Sequence, residues 1–91
     1  MTVENLSTRD KKHLWHPLTQ HKLNKRQLAI VRAKDALLFD EDGKEYIDGI
    51  ASWYTVMYGH SNKYIVSAMT KQMNKLDFVM FSGLTHEPAI E

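Results

Sequence analysis

The chain has 91 residues, 43% hydrophobic and 25% charged, and no cysteine, so it is ordinary globular material of at most one small domain, without disulfides or thiolate metal sites. Twelve Lys plus Arg against eleven Asp plus Glu leave a formal charge of +1, far from the basic excess of a nucleic-acid footprint, and nucleic acid is set aside. The opening "MTVENLSTRDKK" has no signal-peptide core and nowhere do eighteen apolar residues run together, so a soluble, cytoplasmic protein with no membrane partner is expected.

In chain order, residues 1–8 read as a frayed start, and "TRDKKHLWHPL" allows a short helical turn that Pro17 ends. Residues 19–27, "TQHKLNKRQ", lack a period and read as an exposed connection. From Leu28 the β-branched and aromatic residues fall in short runs broken by "KD" and "DEDG". This predicts an antiparallel meander with strands near 28–33, 36–40 and 44–48, turning at Asp42-Gly43 where glycine supplies a positive φ. After Gly59, Ser61 or Asn62 can cap a helix whose apolar stripe runs Ile65, Met69, Met73, Leu76 and Met80, opposite a wet face of Lys63, Ser67, Lys71 and Lys75. "EPAIE" starts another helix. The fold class is therefore α+β, a short antiparallel sheet plus helix.

Five histidines raise a metal site, but His13, His16, His21, His60 and His86 lack the convergent spacing zinc requires, and none is assigned. Asp40, Glu41 and Asp42 sit on the expected hairpin turn, where charge is simply solvated, and no calcium loop, phosphate loop or nucleophile elbow is present. The block "ASWYTVMYGH" is different, with Trp53 and Tyr54 adjacent in a stretch flanked by Gly49, Ala51 and Ser52. From composition, packing of the sheet against the helix is the stronger reading by about two to one. Position argues instead for a ring lining a cleft.

The strings "LWHPLTQHK", "DALLFDEDGKEYIDGIASWY", "YGHSNKYIVSAMTKQM" and "VMFSGLTHEPAIE" together resemble the N-terminal part of class III pyridoxal-phosphate aminotransferases, over nearly all of residues 9–91. "DGKEYIDG" and the "GH" before the helix are shared across the class, whereas "WHP", the aromatic block and the "VMF" to "THEPA" stretch resemble its biotin-pathway branch. The resemblance implies a fold-type I (α/β) homodimer, with residues 1–27 as an N-terminal arm, 28–60 as strands and aromatic segment of the small domain, and 61–91 as helix and connection toward a large cofactor-binding domain. It implies small-molecule substrates, in that branch 7-keto-8-aminopelargonate with S-adenosylmethionine as amino donor. It also implies pyridoxal 5'-phosphate as cofactor, a second subunit as partner, and substrate-site roles for Trp53, Tyr54, Pro17 and Leu18, with Met80 and Ser82 reaching the neighbouring subunit's site.

Two positions depart from the family pattern: Leu18 stands where Tyr is frequent and Tyr54 where a second Trp is frequent. Leu18 keeps open another class III ω-amino-acid aminotransferase. The cofactor chemistry requires a Schiff-base lysine, a phosphate cup and an acidic partner for the pyridine nitrogen, which in the family lie downstream of this segment. No catalytic or cofactor-binding residue is therefore assigned among these residues: none of the nine lysines sits in a desolvating, apolar setting, Lys34, Lys44, Lys63, Lys71 and Lys75 read as surface groups, and the chain alone is expected to be inactive. The remaining alternative is a non-catalytic interaction module with an exposed aromatic face.

Overall fold

The computed structural model describes residues 4–23 and 26–91, so part of the 19–27 connection, Asn24 and Lys25, lies outside the described residues, as do the first three of the frayed start. The chain divides into two compact units, residues 1–60 and 61–91.

In the first unit, α1 spans Leu6–His13 and the meander consists of β1 Ile30–Lys34, β2 Leu37–Asp40 and β3 Glu45–Ile47, in sheet order β1-β2-β3 with both pairings antiparallel. The three strands match those expected from the β-branched and aromatic runs to within two residues at each end. Lys34 pairs with Leu37, leaving the two-residue turn Asp35-Ala36, and a register shift between Ile30 and Arg32 bends β1. The second hairpin closes through the Gly43 N–H on the Asp40 carbonyl at 3.0 Å, with Gly43 at φ 83°. Phe39 is the only buried large hydrophobic side chain among the described residues, at 9% exposure, with the Arg32 guanidinium 3.6 Å from its ring centroid.

The frayed start is shorter than expected. Asn5 caps α1 by accepting the Thr8 N–H at 2.9 Å, and the Glu41 carboxylate accepts the Leu6 N–H at 2.8 Å. Both satisfy donors that a helix start leaves open. The helix ends at His13, because Leu14 is already extended, rather than running on to Pro17.

The acidic run is also not simply solvated. Asp40 is buried and accepts from the Asp42 N–H, the Lys44 N–H and the Tyr46 hydroxyl, each at 2.9 Å. These bonds, the Lys44 N–H first, hold its carboxyl below the usual range, as the Leu6 N–H does for Glu41. Glu41 also takes Arg26 at 3.4 Å, tying helix, connection and sheet. Asp42 alone stays exposed on the turn.

In the second unit, α3 spans Lys63–Lys75 and α4 Glu87–Ile90; the four-residue α2, Ala51–Tyr54, belongs to the first unit and is described below. Asn62 caps α3 by accepting the Tyr64 and Ile65 N–H groups at 3.1 Å. Leu76 is extended and Asp77 takes the Phe78 N–H, so the helical stripe ends at Met73, and Leu76 and Met80 lie beyond it. Neither face of α3 is buried, so the stripe is as exposed as the lysine face. His86 caps α4 through Nδ1, and its ring meets Phe81 edge-on, 4.8 Å between centroids. Among the described residues no helix is long and apolar enough to cross a membrane.

Gly59 and Gly43 give a paired stability prediction. Both have positive φ, but a Cβ on Gly59 would lie 3.2 Å from Asp35 Cα, whereas one on Gly43 meets nothing within 4 Å. In the complete protein, Gly43→Ala is expected to cost about 1–2 kcal/mol for the left-handed backbone alone. Gly59→Ala should cost more, and paired denaturant titrations measure the difference.

Candidate functional site

The aromatic block does not continue the last strand. Residues Ala51, Ser52, Trp53 and Tyr54 have φ of 48°, 46°, 64° and 66°, so α2 is one turn of left-handed helix built from four consecutive L-residues. Each costs roughly 1–2 kcal/mol in that conformation, a strain of order 4–8 kcal/mol that the surroundings must offset. Backbone bonds from the Tyr54 N–H to the Ile50 carbonyl and the Thr55 N–H to the Ala51 carbonyl, both 2.9 Å, close the turn.

Asp48, directly after β3, supplies the side-chain support. Its Oδ1 accepts the Ser52 N–H at 3.0 Å, and its Oδ2 accepts the Ser52 hydroxyl at 2.7 Å and His60 Nε2–H at 2.7 Å. Ile50 at the N-cap has no side-chain bond to offer, so Asp48 satisfies a helix-start donor that would otherwise be open. The clasp is largely shielded: the side chains of Asp48 and His60 are 6% and 14% exposed. His60 in turn exchanges both backbone hydrogen bonds with Asp35, at 2.8 and 3.0 Å, which fastens the segment to the β1-β2 turn. A cleft of about 310 Å³ opens here, lined by Asp35, Asp48, Ala51, Val56 and His60 among others. A larger open groove, about 620 Å³, runs between α1 and residues 27–29, where no residue expected at the substrate site lies.

The Ser52 N–H and hydroxyl, ahead of His60, lower the Asp48 carboxyl to about 2 from an ordinary 3.8. A carboxyl depressed on folding stabilises the native state above its unfolded pKa, and the contribution fades as pH falls from about 4 toward 2. The thermal-midpoint difference between the complete protein and its Asp48→Asn variant should therefore be largest near neutrality and shrink below about pH 4.

Trp53 and Tyr54 are 66% and 75% exposed. A left-handed turn turns both outward where a strand would have buried one. Pro17 and Leu18 form an exposed turn, with Leu18 at φ 56° and 85% exposed, and the Thr19 hydroxyl donates to the His16 carbonyl at 2.8 Å. Met80 and Ser82 are exposed in the second unit, beside Gly83 at φ 88°. The sequence reading did not single out Asp48 or a role for His60; an Asp four residues before a serine in a small-residue stretch is the faint signal that was available.

All eight described lysines are exposed, and none has the apolar enclosure a cofactor-anchoring amine requires. The residues present do not fit the task of holding pyridoxal phosphate by themselves.

The family model for class-III aminotransferases matches residues 19–91. Adenosylmethionine-8-amino-7-oxononanoate aminotransferase of Staphylococcus aureus is 34% identical over 91 residues, covering 98% of this chain and 20% of the relative. The protein of that name from Synechococcus elongatus is 43% identical over 77 residues, 85% of this chain and 18% of the relative. Among solved structures, the ω-transaminase of Pseudomonas jessenii in complex with PMP superposes with a TM-score of 0.88 at 31% identity, over 96% of this chain and 20% of that one. The adenosylmethionine-8-amino-7-oxononanoate aminotransferase of Methanocaldococcus jannaschii gives 0.85 at 33%, over 91% and 19%. The chain thus spans about a fifth of the length of the relatives it matches, and its short antiparallel sheet and helices correspond to the N-terminal part of fold-type I transaminases. With the family model matching from the "WHP" turn's end through the strained aromatic segment to Glu91, the chain belongs to the class-III aminotransferases.

Proposed function

We propose that this chain forms the N-terminal part of a longer, cytoplasmic pyridoxal-phosphate aminotransferase that converts 7-keto-8-aminopelargonate to 7,8-diaminopelargonate in biotin synthesis, with S-adenosylmethionine as amino donor. The observation that carries the reading is the shared name of the relatives matched over 85–98% of the chain, together with the exposed aromatic pair on its strained turn. Pyridoxal phosphate, when bound, supplies the electron sink for amino transfer. This chain's residues bind and orient: Trp53 and Tyr54 form an apolar wall for the substrate's aliphatic chain, and Pro17 and Leu18 stand at the mouth. Met80 and Ser82 border the pocket of the second subunit in a homodimer.

The complete protein, incubated with pyridoxal phosphate, 7-keto-8-aminopelargonate and S-adenosylmethionine, is expected to form diaminopelargonate, read by mass spectrometry. Product formed from a simple ω-amine and not from S-adenosylmethionine would favour the second reading, another ω-amino-acid aminotransferase. Leu18, apolar and exposed at the proposed mouth, and the Pseudomonas jessenii superposition support that alternative. No transamination with either donor would overturn both.

A further inference from the structure

The left-handed turn is the most strained segment described, and apart from the Thr55 hydroxyl on the Ser52 carbonyl at 2.8 Å its side-chain hydrogen bonds converge on one carboxylate. We propose that Asp48 is a specificity-determining positioning residue, holding the turn Ala51–Tyr54 so that Trp53 and Tyr54 stand preformed as the wall for the apolar part of the substrate; this rests on the reading of Trp53 as a pocket residue.

Three donors meet the carboxylate: the Ser52 N–H on Oδ1, and the Ser52 hydroxyl and His60 Nε2–H on Oδ2. An asparagine has one acceptor oxygen, so in either orientation its NH₂ faces at least one of these donors, whereas a carboxylate accepts from all three. Ser52 immediately precedes Trp53, so the clasp acts one residue from the ring. The other end is fixed, because His60 is backbone-paired with Asp35 in the β1-β2 turn, and Gly59 lets the two segments approach closely enough for that pairing. The chain of contacts therefore runs from sheet to His60, Asp48, Ser52 and the aromatic pair. Freed from the clasp, residues 51–54 relax toward negative φ, where L-residues are more stable, and both rings leave their places. Asp48 touches no reacting group in this arrangement. Its effect reaches substrate through the position of the rings.

The test is a double-mutant cycle in the complete holoenzyme, using 7-keto-8-aminopelargonate. Asp48→Asn is expected to raise KM about tenfold, the scale of misplacing a binding group, with kcat within about twofold and the pyridoxal absorbance retained. Combined with Trp53→Ala, it should raise KM by clearly less than the product of the two single effects, because the Trp53 part of the wall is already gone and only the displacement of Tyr54 is left to add. Fully additive effects, or loss of the pyridoxal absorbance, would show a general structural role and overturn the proposal. An unchanged KM in Asp48→Asn beside a raised KM in Trp53→Ala overturns the proposal and leaves the pocket reading standing. An unchanged KM in Trp53→Ala defeats the pocket reading itself. Should Asp48→Asn fail to fold, Ser52→Ala removes only the hydroxyl contact and carries the same cycle with a smaller rise in KM.

Discussion

Replacing Trp53 by alanine in the complete holoenzyme is expected to raise KM for the keto substrate by on the order of 10- to 100-fold, with the pyridoxal absorbance unchanged. An indole covered by an aliphatic substrate chain removes apolar area worth about 1.5–3 kcal/mol, and each 1.4 kcal/mol is a factor of ten. The ring is free to make that contact, since it is 66% exposed. The absorbance should survive because no described lysine in this segment is placed to anchor the cofactor. Loss of bound cofactor would instead assign Trp53 to the packing of the rest of the protein. Steady-state kinetics with absorbance spectra on the same preparations distinguish the two. Tyr54→Trp, which restores the family's frequent aromatic, should change KM far less, since it keeps the apolar wall.

The strands, the Asp42-Gly43 turn and the Asn62 cap were legible because each is a local signal: short β-branched and aromatic runs between breakers, a glycine needing positive φ, a polar residue before an amphipathic run. The start of α1 was not, because half of its support comes from Glu41, 35 residues away in sequence. The same contact half-buries Glu41 in an acidic run that reads as solvated, while Asp40 is held by the Asp42 and Lys44 N–H groups and the Tyr46 hydroxyl. The end of α3 was overrun because Leu76 and Met80 keep the helical spacing after the backbone has turned extended. At the candidate site, the identity of the aromatic pair was visible and its conformation was not. Four L-residues at positive φ contradict every local propensity, and the Asp48-His60 clasp, assembled across twelve residues, supports them together with the turn's own backbone bonds. Such a conflict between local preference and observed backbone is where function concentrates.

Residues 1–91 produced by themselves are expected to form a molten, dye-binding species without a cooperative thermal transition. Among the described residues Phe39 alone of the large hydrophobics is buried, and its burial contributes about 1.5–3 kcal/mol. Ordering each residue costs about 1–2 kcal/mol of backbone entropy, so one such side chain offsets the ordering of only a residue or two. The meander retains its hydrogen bonds and the Asp40 and Glu41 clamps, which favours residual strand structure over a random coil. The left-handed turn should be the first element lost, because its strain is offset by contacts and not by propensity. Trp15, Trp53, Met57, Tyr58, Tyr64 and Phe78 are all exposed and would associate at micromolar concentration. Near-UV circular dichroism, dye fluorescence and sedimentation measure the outcome: lost aromatic signal, strong dye binding and concentration-dependent association. A monomer with sharp near-UV bands and a two-state melt would overturn this, and would favour the self-standing interaction module, whose partner would then have to cover the same aromatic surface.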